Sequence, residues 1–257
     1  MKDNYFLLNL EELKPGGHRM KIIFRIFTTV LLISFLLLVF GCSKEEKQEI
    51  AGKEETQEAP TIIQRLLQPD PAELNQPSPE TFKIKFETSK GDFIMEVYRD
   101  WSPYGADRLY YLVKHGFYDN VRFFRVIEGF MAQFGYHGNP DVAKVWSDMT
   151  FPDDPVKESN LRGYVSFAKS SAPNSRSTNL FINYVDNTHL DQMGFSPIGR
   201  VIEGMEVVDQ LYSGYGDSSS SGGRGPEQMR IKTEGNEYLK RNFPKLDYMK
   251  KARIISE

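Results

Sequence analysis

Cysteine is nearly absent. Cys42 stands alone in 257 residues, so no disulfide framework and no cysteine-based zinc site can form within one chain. Histidine is scarce too: His18, His115, His137 and His189 show no metal-ligand spacing, which argues against a metal enzyme. Neither a G-x-S-x-G nucleophile turn nor a P-loop occurs, and the glycine- and serine-rich stretch Gly214–Gly225 lacks a following Lys-Ser/Thr. That stretch reads as a mobile surface loop. A basic excess is missing as well. Thirty-two Lys and Arg against 35 Asp and Glu leave a net charge of −3, so no nucleic-acid partner is expected. Nothing in the chain calls for a metal or another cofactor.

The charge is unevenly spread. Residues 1–41 carry a net +2, residues 42–80 a net −5, and residues 81–257 none. In the first piece, Lys21 and Arg25 precede Ile26–Ser43, which holds no charged residue and is rich in Leu, Ile, Val and Phe. A basic start followed by an apolar run is the layout of a secretory signal. Cys42 directly after Gly41 resembles the lipobox of bacterial lipoproteins, where the thiol is lipidated and the signal is cut before it, although Phe40 replaces the small residue usual there. The alternative is an uncleaved anchor, since about 18 uncharged residues just span a bilayer. Either way the rest of the chain is expected outside the cytoplasm, tied to a bacterial membrane. Asp3, Glu11, Glu12 and Pro15 suit a signal poorly, and translation is expected to begin at Met20.

Residues 43–80 hold five of the 14 prolines, nine acids and no aromatic side chain. Such a composition buries little and reads as an extended linker over 42–80, with at most one amphipathic turn at Ile62, Ile63, Leu66 and Leu67. From Thr81 the texture changes. Phe82, Ile84 and Phe86 alternate with polar residues, and Lys90-Gly91-Asp92 turns the chain into a second alternating run ending at Tyr98. Ser102-Pro103 opens a helix as N-cap and first residue, and Gly116 ends it. Strands are expected at Val121–Ile127, Phe130–Phe134, Gly163–Ala168, Asn179–Val185 and Ile198–Ile202, a short helix after Gly204, a further helix over Asn236–Asn242, and a closing strand at Ala252–Ser256. The order predicts a mainly β fold, an antiparallel sheet closed into a barrel with a helix over each end, spanning residues 81–257. No internal repeat is present.

The chemistry gathers in Phe123-Phe124-Arg125-Val126-Ile127-Glu128-Gly129-Phe130-Met131-Ala132-Gln133-Phe134-Gly135. An arginine among so many apolar residues is costly to bury unpaired. Its plain structural explanation is a strand edge with an acidic partner. Its functional explanation is a concave face shared with Met131 and Gln133. The segment resembles the F-H-R-V-I-x-G-F-M-x-Q-G-G signature of the cyclophilins, barrel-type peptidyl-prolyl cis–trans isomerases. Further segments match in order: Gly163–Ala168, Pro173-Asn174-Ser175, Asn179–Ile182, His189-Leu190-Asp191 and Gly199–Met205.

The resemblance, which covers roughly residues 82–212, implies that Arg125 is the catalytic arginine and that Phe130, Met131, Phe181 and Leu190 line the proline pocket. It implies that Gln133 holds the substrate backbone, with Asn179, His189 and Phe195 at further binding positions. Phe124 replaces the family's usual histidine, Phe134 its first glycine after the glutamine, Asn179 a glutamine and His189 a tryptophan. Phe195 falls near the pocket histidine, and Lys169–Ala172 is one residue longer than its counterpart. Tight cyclosporin binding, which that tryptophan supports, is not implied. The expectation is a monomeric isomerase acting on proline-containing polypeptides. The rival is a proline-peptide binding module or chaperone on the same scaffold with little isomerase activity.

Overall fold

The computed structural model describes residues 61–257; the expected signal, Cys42 and the linker up to Pro60 lie outside them. Two short helices lead, α1 (Ile62–Leu67) and α2 (Pro71–Leu74). Then come β1 (Thr81–Thr88), β2 (Gly91–Tyr98), α3 (Pro103–Lys114), β3 (Phe123–Ile127), β4 (Met131–Phe134), α4 (Pro140–Asp148), β5 (Tyr164–Phe167) and β6 (Leu180–Asn183). The chain ends with α5 (His189–Gln192), β7 (Pro197–Glu203), α6 (Met205–Val208), α7 (Gln228–Asn242) and β8 (Met249–Ser256).

The alternation in β1 and β2 does what period two requires. Phe82, Ile84 and Phe86 point into the core opposite Val97, Met95 and Phe93, and the Phe86 and Phe93 rings stack at 4.7 Å. Each such buried side chain contributes about 1.5–3 kcal/mol. All eight strands join one antiparallel sheet in the order β3-β4-β6-β5-β7-β2-β1-β8. The sheet curls until its edge strands meet, but the closure is one bridge wide. Arg122 pairs with Tyr248, the Phe123 N–H donates to the Asp247 carbonyl at 3.0 Å, and the Met249 N–H donates to the Val121 carbonyl at 2.8 Å. The expected closed barrel is therefore a half-barrel stitched at one point.

Three expectations need correction. Residues 61–80 are not linker but part of the domain: Leu66 is fully buried, and its carbonyl accepts the indole N–H of buried Trp146 at 2.9 Å. A composition poor in aromatics misled because one leucine and one carbonyl are enough to dock a short helix. Ser102 occupies the N-cap of α3 without capping it; its hydroxyl donates to the Asp154 carboxylate, which itself accepts the Tyr104 and Gly105 N–H groups at 3.2 and 3.1 Å. The cap comes from 50 residues away. Finally, the helices number more than the two expected over the sheet. The helix after Gly204 is the single turn α6, which packs on β2 as α3 packs on β8 and β7; α4 is an additional helix before β5, and α7 packs on it. Asn139 caps α4 through its Oδ1, 2.9 Å from the Asp141 N–H. The α7 helix starts eight residues earlier than expected and kinks at Gly235 (φ 59°), where a Cβ would lie 2.2 Å from the Gly138 carbonyl oxygen.

Among the described residues no helix is long and apolar enough to cross a membrane, and no group of three or more His, Cys, Asp or Glu could hold a metal ion.

Candidate active site

Directly paired residues in an antiparallel sheet share a face. Arg125 of β3 pairs with Gln133 of β4, Gln133 with Phe181 of β6, and Phe181 with Ser166 of β5. These form one row on the outer face, with Met131 one step along. Val126, Ala132 and Ile182, the alternating neighbours, point into the core.

A bulge makes this register work. Phe123 pairs with Phe134 and Arg125 with Gln133, so β3 spends one extra residue, Phe124. Phe123 can then enter the core while Arg125 faces outward. The extra Phe124 is buried in a second cluster with Tyr136, Ile231, Tyr238, Leu239 and Leu246, its ring 4.9 Å from that of Tyr136.

The outer row opens on a cavity of about 560 Å³. Its floor is buried Met131, Phe181 and Leu190, against which Phe130 and Phe195 pack. Phe195 meets Phe181 edge-on at 5.6 Å, and the Asn160 amide anchors the Phe195 carbonyl at 2.8 Å. Arg125 Nη1 donates to Gln133 Oε1 at 3.3 Å and lies 3.8 Å from Met131 Sδ. The guanidinium carbon stands 5.8 Å from the Phe130 ring centre. Asn179 lines the cavity too. His189 does not; it is exposed at the rim, its ring near-parallel to that of Phe130 at 6.2 Å. The structure thus brings together all the expected pocket residues except His189.

Two groups escaped sequence reasoning. The cavity continues past Asn179 into a polar part lined by Tyr136, Thr150, Lys169, Ser175, Gln228 and Lys232. Tyr136 donates to Gln228 at 2.9 Å, so α7 forms part of the wall. No local pattern joins residues nearly a hundred positions apart. The other is Asp217. The loop expected to be bland and mobile carries this acid onto Arg125, whose Nε and Nη2 donate to Oδ1 and Oδ2 at 2.7 and 2.8 Å. The pairing holds the Asp217 carboxyl below the usual carboxylate range. A signal existed: an arginine on an edge strand calls for an acidic partner. Arg125 has both the partner and the pocket, so the two explanations raised from sequence hold together.

Fold and site define a curled-barrel protein with an apolar outer-face pocket served by the Arg125 guanidinium and the Gln133 amide. The chain belongs to the cyclophilin-type peptidyl-prolyl cis–trans isomerases: a family model described as "Cyclophilin type peptidyl-prolyl cis-trans isomerase/CLD" matches residues 83–235. A Brucella abortus (strain 2308) protein named "Probable peptidyl-prolyl cis-trans isomerase" is 37% identical over 134 residues, 48% of this chain and 68% of that one. Peptidyl-prolyl cis-trans isomerase B of Escherichia coli (strain K12) is 32% identical over 135 residues, 50% of this chain and 82% of the relative. A solved cyclophilin-type isomerase of Cryptosporidium parvum shares the fold, with a TM-score of 0.50 at 21% identity, over 69% of this chain and 99% of its own. Isomerase activity goes with that membership.

Proposed function

We propose that this chain rotates X–Pro bonds in exported or unfolded polypeptides, with Arg125 as the catalytic donor. The observation that carries the reading is a guanidinium N–H held at an apolar pocket, 3.3 Å from Gln133 Oε1, in a chain of an isomerase family. Rotation must cross about 18–20 kcal/mol because twisting destroys amide resonance, and unaided it takes roughly 10–100 s. The planar amide is charge-separated. The twisted one is less polar and carries a lone pair on nitrogen. A floor of Met131, Phe181 and Leu190 therefore favours the twisted state over the planar one, which is the differential binding that catalysis requires. Arg125 gains a bond to that nitrogen only once resonance is lost. A hydrogen bond from a charged donor contributes about 1.5–3 kcal/mol, or about ten- to a hundredfold in rate. Gln133, in the same row, holds the peptide backbone, while Phe130 and Phe195 flank the proline ring.

A protease-coupled isomerisation assay on the full chain tests this. Arg125→Ala is expected to lower kcat/KM by about ten- to a hundredfold in a protein that still folds. Equal, near-background rates for both proteins would overturn the enzyme reading, and peptide binding surviving in that case would select the binding module.

The proposed setting is outside the cytoplasm, on a membrane through lipidated Cys42. Its support is the sequence of residues 21–53: basic start, apolar run, cysteine after Gly41, then a charged tether. Labelled palmitate is expected to enter the wild type and not Cys42→Ala; label retained in the variant would refute the anchor.

A further inference from the structure

The Gly214–Gly225 stretch is built around one side chain. Gly216 bridges to Val126 of β3, beside Arg125. The Ser218 N–H donates to Asp217 Oδ1 at 2.8 Å, and the Gly225 N–H donates to the Asp217 carbonyl at 2.6 Å. A Cβ on Gly223 would lie 2.1 Å from that same carbonyl oxygen, so only glycine lets the loop fold back this far. Farther out, the Ser219 hydroxyl and the Ser220 N–H both donate to the Glu227 carboxylate, which ties the loop to the start of α7.

What this scaffold presents to Arg125 is one-sided. Asp217 takes the Nε and Nη2 N–H groups and leaves Nη1, which faces Gln133 Oε1 and Met131 Sδ at the pocket. Asp217 itself does not line the cavity. A carboxylate fork on two parallel N–H groups fixes the plane of a guanidinium as well as its position. A free arginine side chain samples many rotamers, and catalysis by a preorganised donor loses heavily when that donor strays.

We propose that Asp217 is a positioning residue for the isomerisation, gripping Arg125 from behind so that Nη1 meets the prolyl nitrogen as it pyramidalises. The inference rests on the catalytic reading of Arg125. It assigns the loop a catalytic purpose, and it predicts the opposite of a clamp that withdraws the arginine from use.

The test is steady-state isomerisation of an X–Pro peptide by the full chain, with Asp217→Ala, Asp217→Asn, Arg125→Ala and the double variant D217A/R125A. Asp217→Ala is expected to lose about ten- to a hundredfold in kcat with KM little changed. Asp217→Asn, which keeps the size and one acceptor oxygen, should fall between it and the wild type. The double variant should match R125A, because the loss acts only through Arg125. Added formate, a free carboxylate, should restore part of the kcat of D217A and leave R125A unmoved. A kcat in D217A equal to or above that of the wild type would overturn the positioning role. So would an equal further loss in the R125A background, or indifference of D217A to formate. A wild type without isomerase activity would instead remove the catalytic reading and this inference with it.

Discussion

Arg125 shows how much one residue's role depends on its two neighbours. Val126 points into the core and Phe124 is the bulge residue, so the guanidinium has only the outer face available. The bulge also explains why phenylalanine stands at 124. Its ring is buried among Tyr136, Ile231, Tyr238, Leu239 and Leu246, a cluster completed by α7 and the segment after it. Restoring the histidine of the resemblance would put a polar ring there. Phe124→His is expected to cost about 1–3 kcal/mol, the price of a buried polar group without a hydrogen-bond partner. Denaturant unfolding measures it, and an unchanged midpoint would mean that this cluster tolerates or solvates the imidazole.

At the scale of elements, the start of α3 is held by a buried ion pair rather than by its own first turn. Asp154 accepts from two N–H groups of α3, from Ser102 and from Arg176 Nη2 at 2.8 Å, and both charged side chains are at most 2% exposed. Removing one member leaves the other charged and buried, which costs about 3–5 kcal/mol. Asp154→Ala is expected near the lower end, because Asp153 lies 3.5 Å from Arg176 Nε and supplies part of the missing charge. Thermal unfolding with hydrogen exchange on α3 would show both the lost stability and the frayed first turn; protection equal to wild type would contradict the cap.

For the molecule as a whole, acid stability divides into two windows. Burial pushes His137 and His115 below their ordinary value of 6.5, and outweighs the upward pull of Asp119 on the first and of Glu73, 3.3 Å from Nε2, on the second. The folded state then prefers neutral imidazoles, and His137 Nδ1 is already an acceptor for the Asn139 N–H at 3.0 Å. As pH falls through 6.5 the unfolded chain takes up these protons first, so stability is full above that value and declines below it. The paired carboxylates act lower. Hydrogen bonding from Arg125 and Lys114 depresses Asp217 and Glu73 below their ordinary 3.8 and 4.5, so their contributions persist until the pH falls beneath those values. Chemical denaturation across pH 8 to 3 should show a first loss setting in as the pH falls below 6.5, flattened in His137→Gln, and a second below about 4. A profile with no loss until the carboxylate range would contradict the histidine assignment.

What could be read from the chain alone was whatever depends on neighbours in sequence. Alternation placed β1 and β2, Ser102-Pro103 and Gly116 bounded α3, and the spacing of Arg125, Met131 and Gln133 set three pocket residues on two adjoining strands, because a strand's period assigns faces without any tertiary input. The docked residues 61–80, the capping of α3 by Asp154, the polar wall from α7 and the grip of Asp217 were settled only by the tertiary structure. Each joins groups from 49 to 92 positions apart. Long-range contacts of that kind are selected by which buried charge or exposed edge needs a partner once the sheet has curled. The loop that looked emptiest in composition therefore holds the one acid among the described residues that pairs with Arg125: glycine and serine let the backbone fold tightly enough to deliver it.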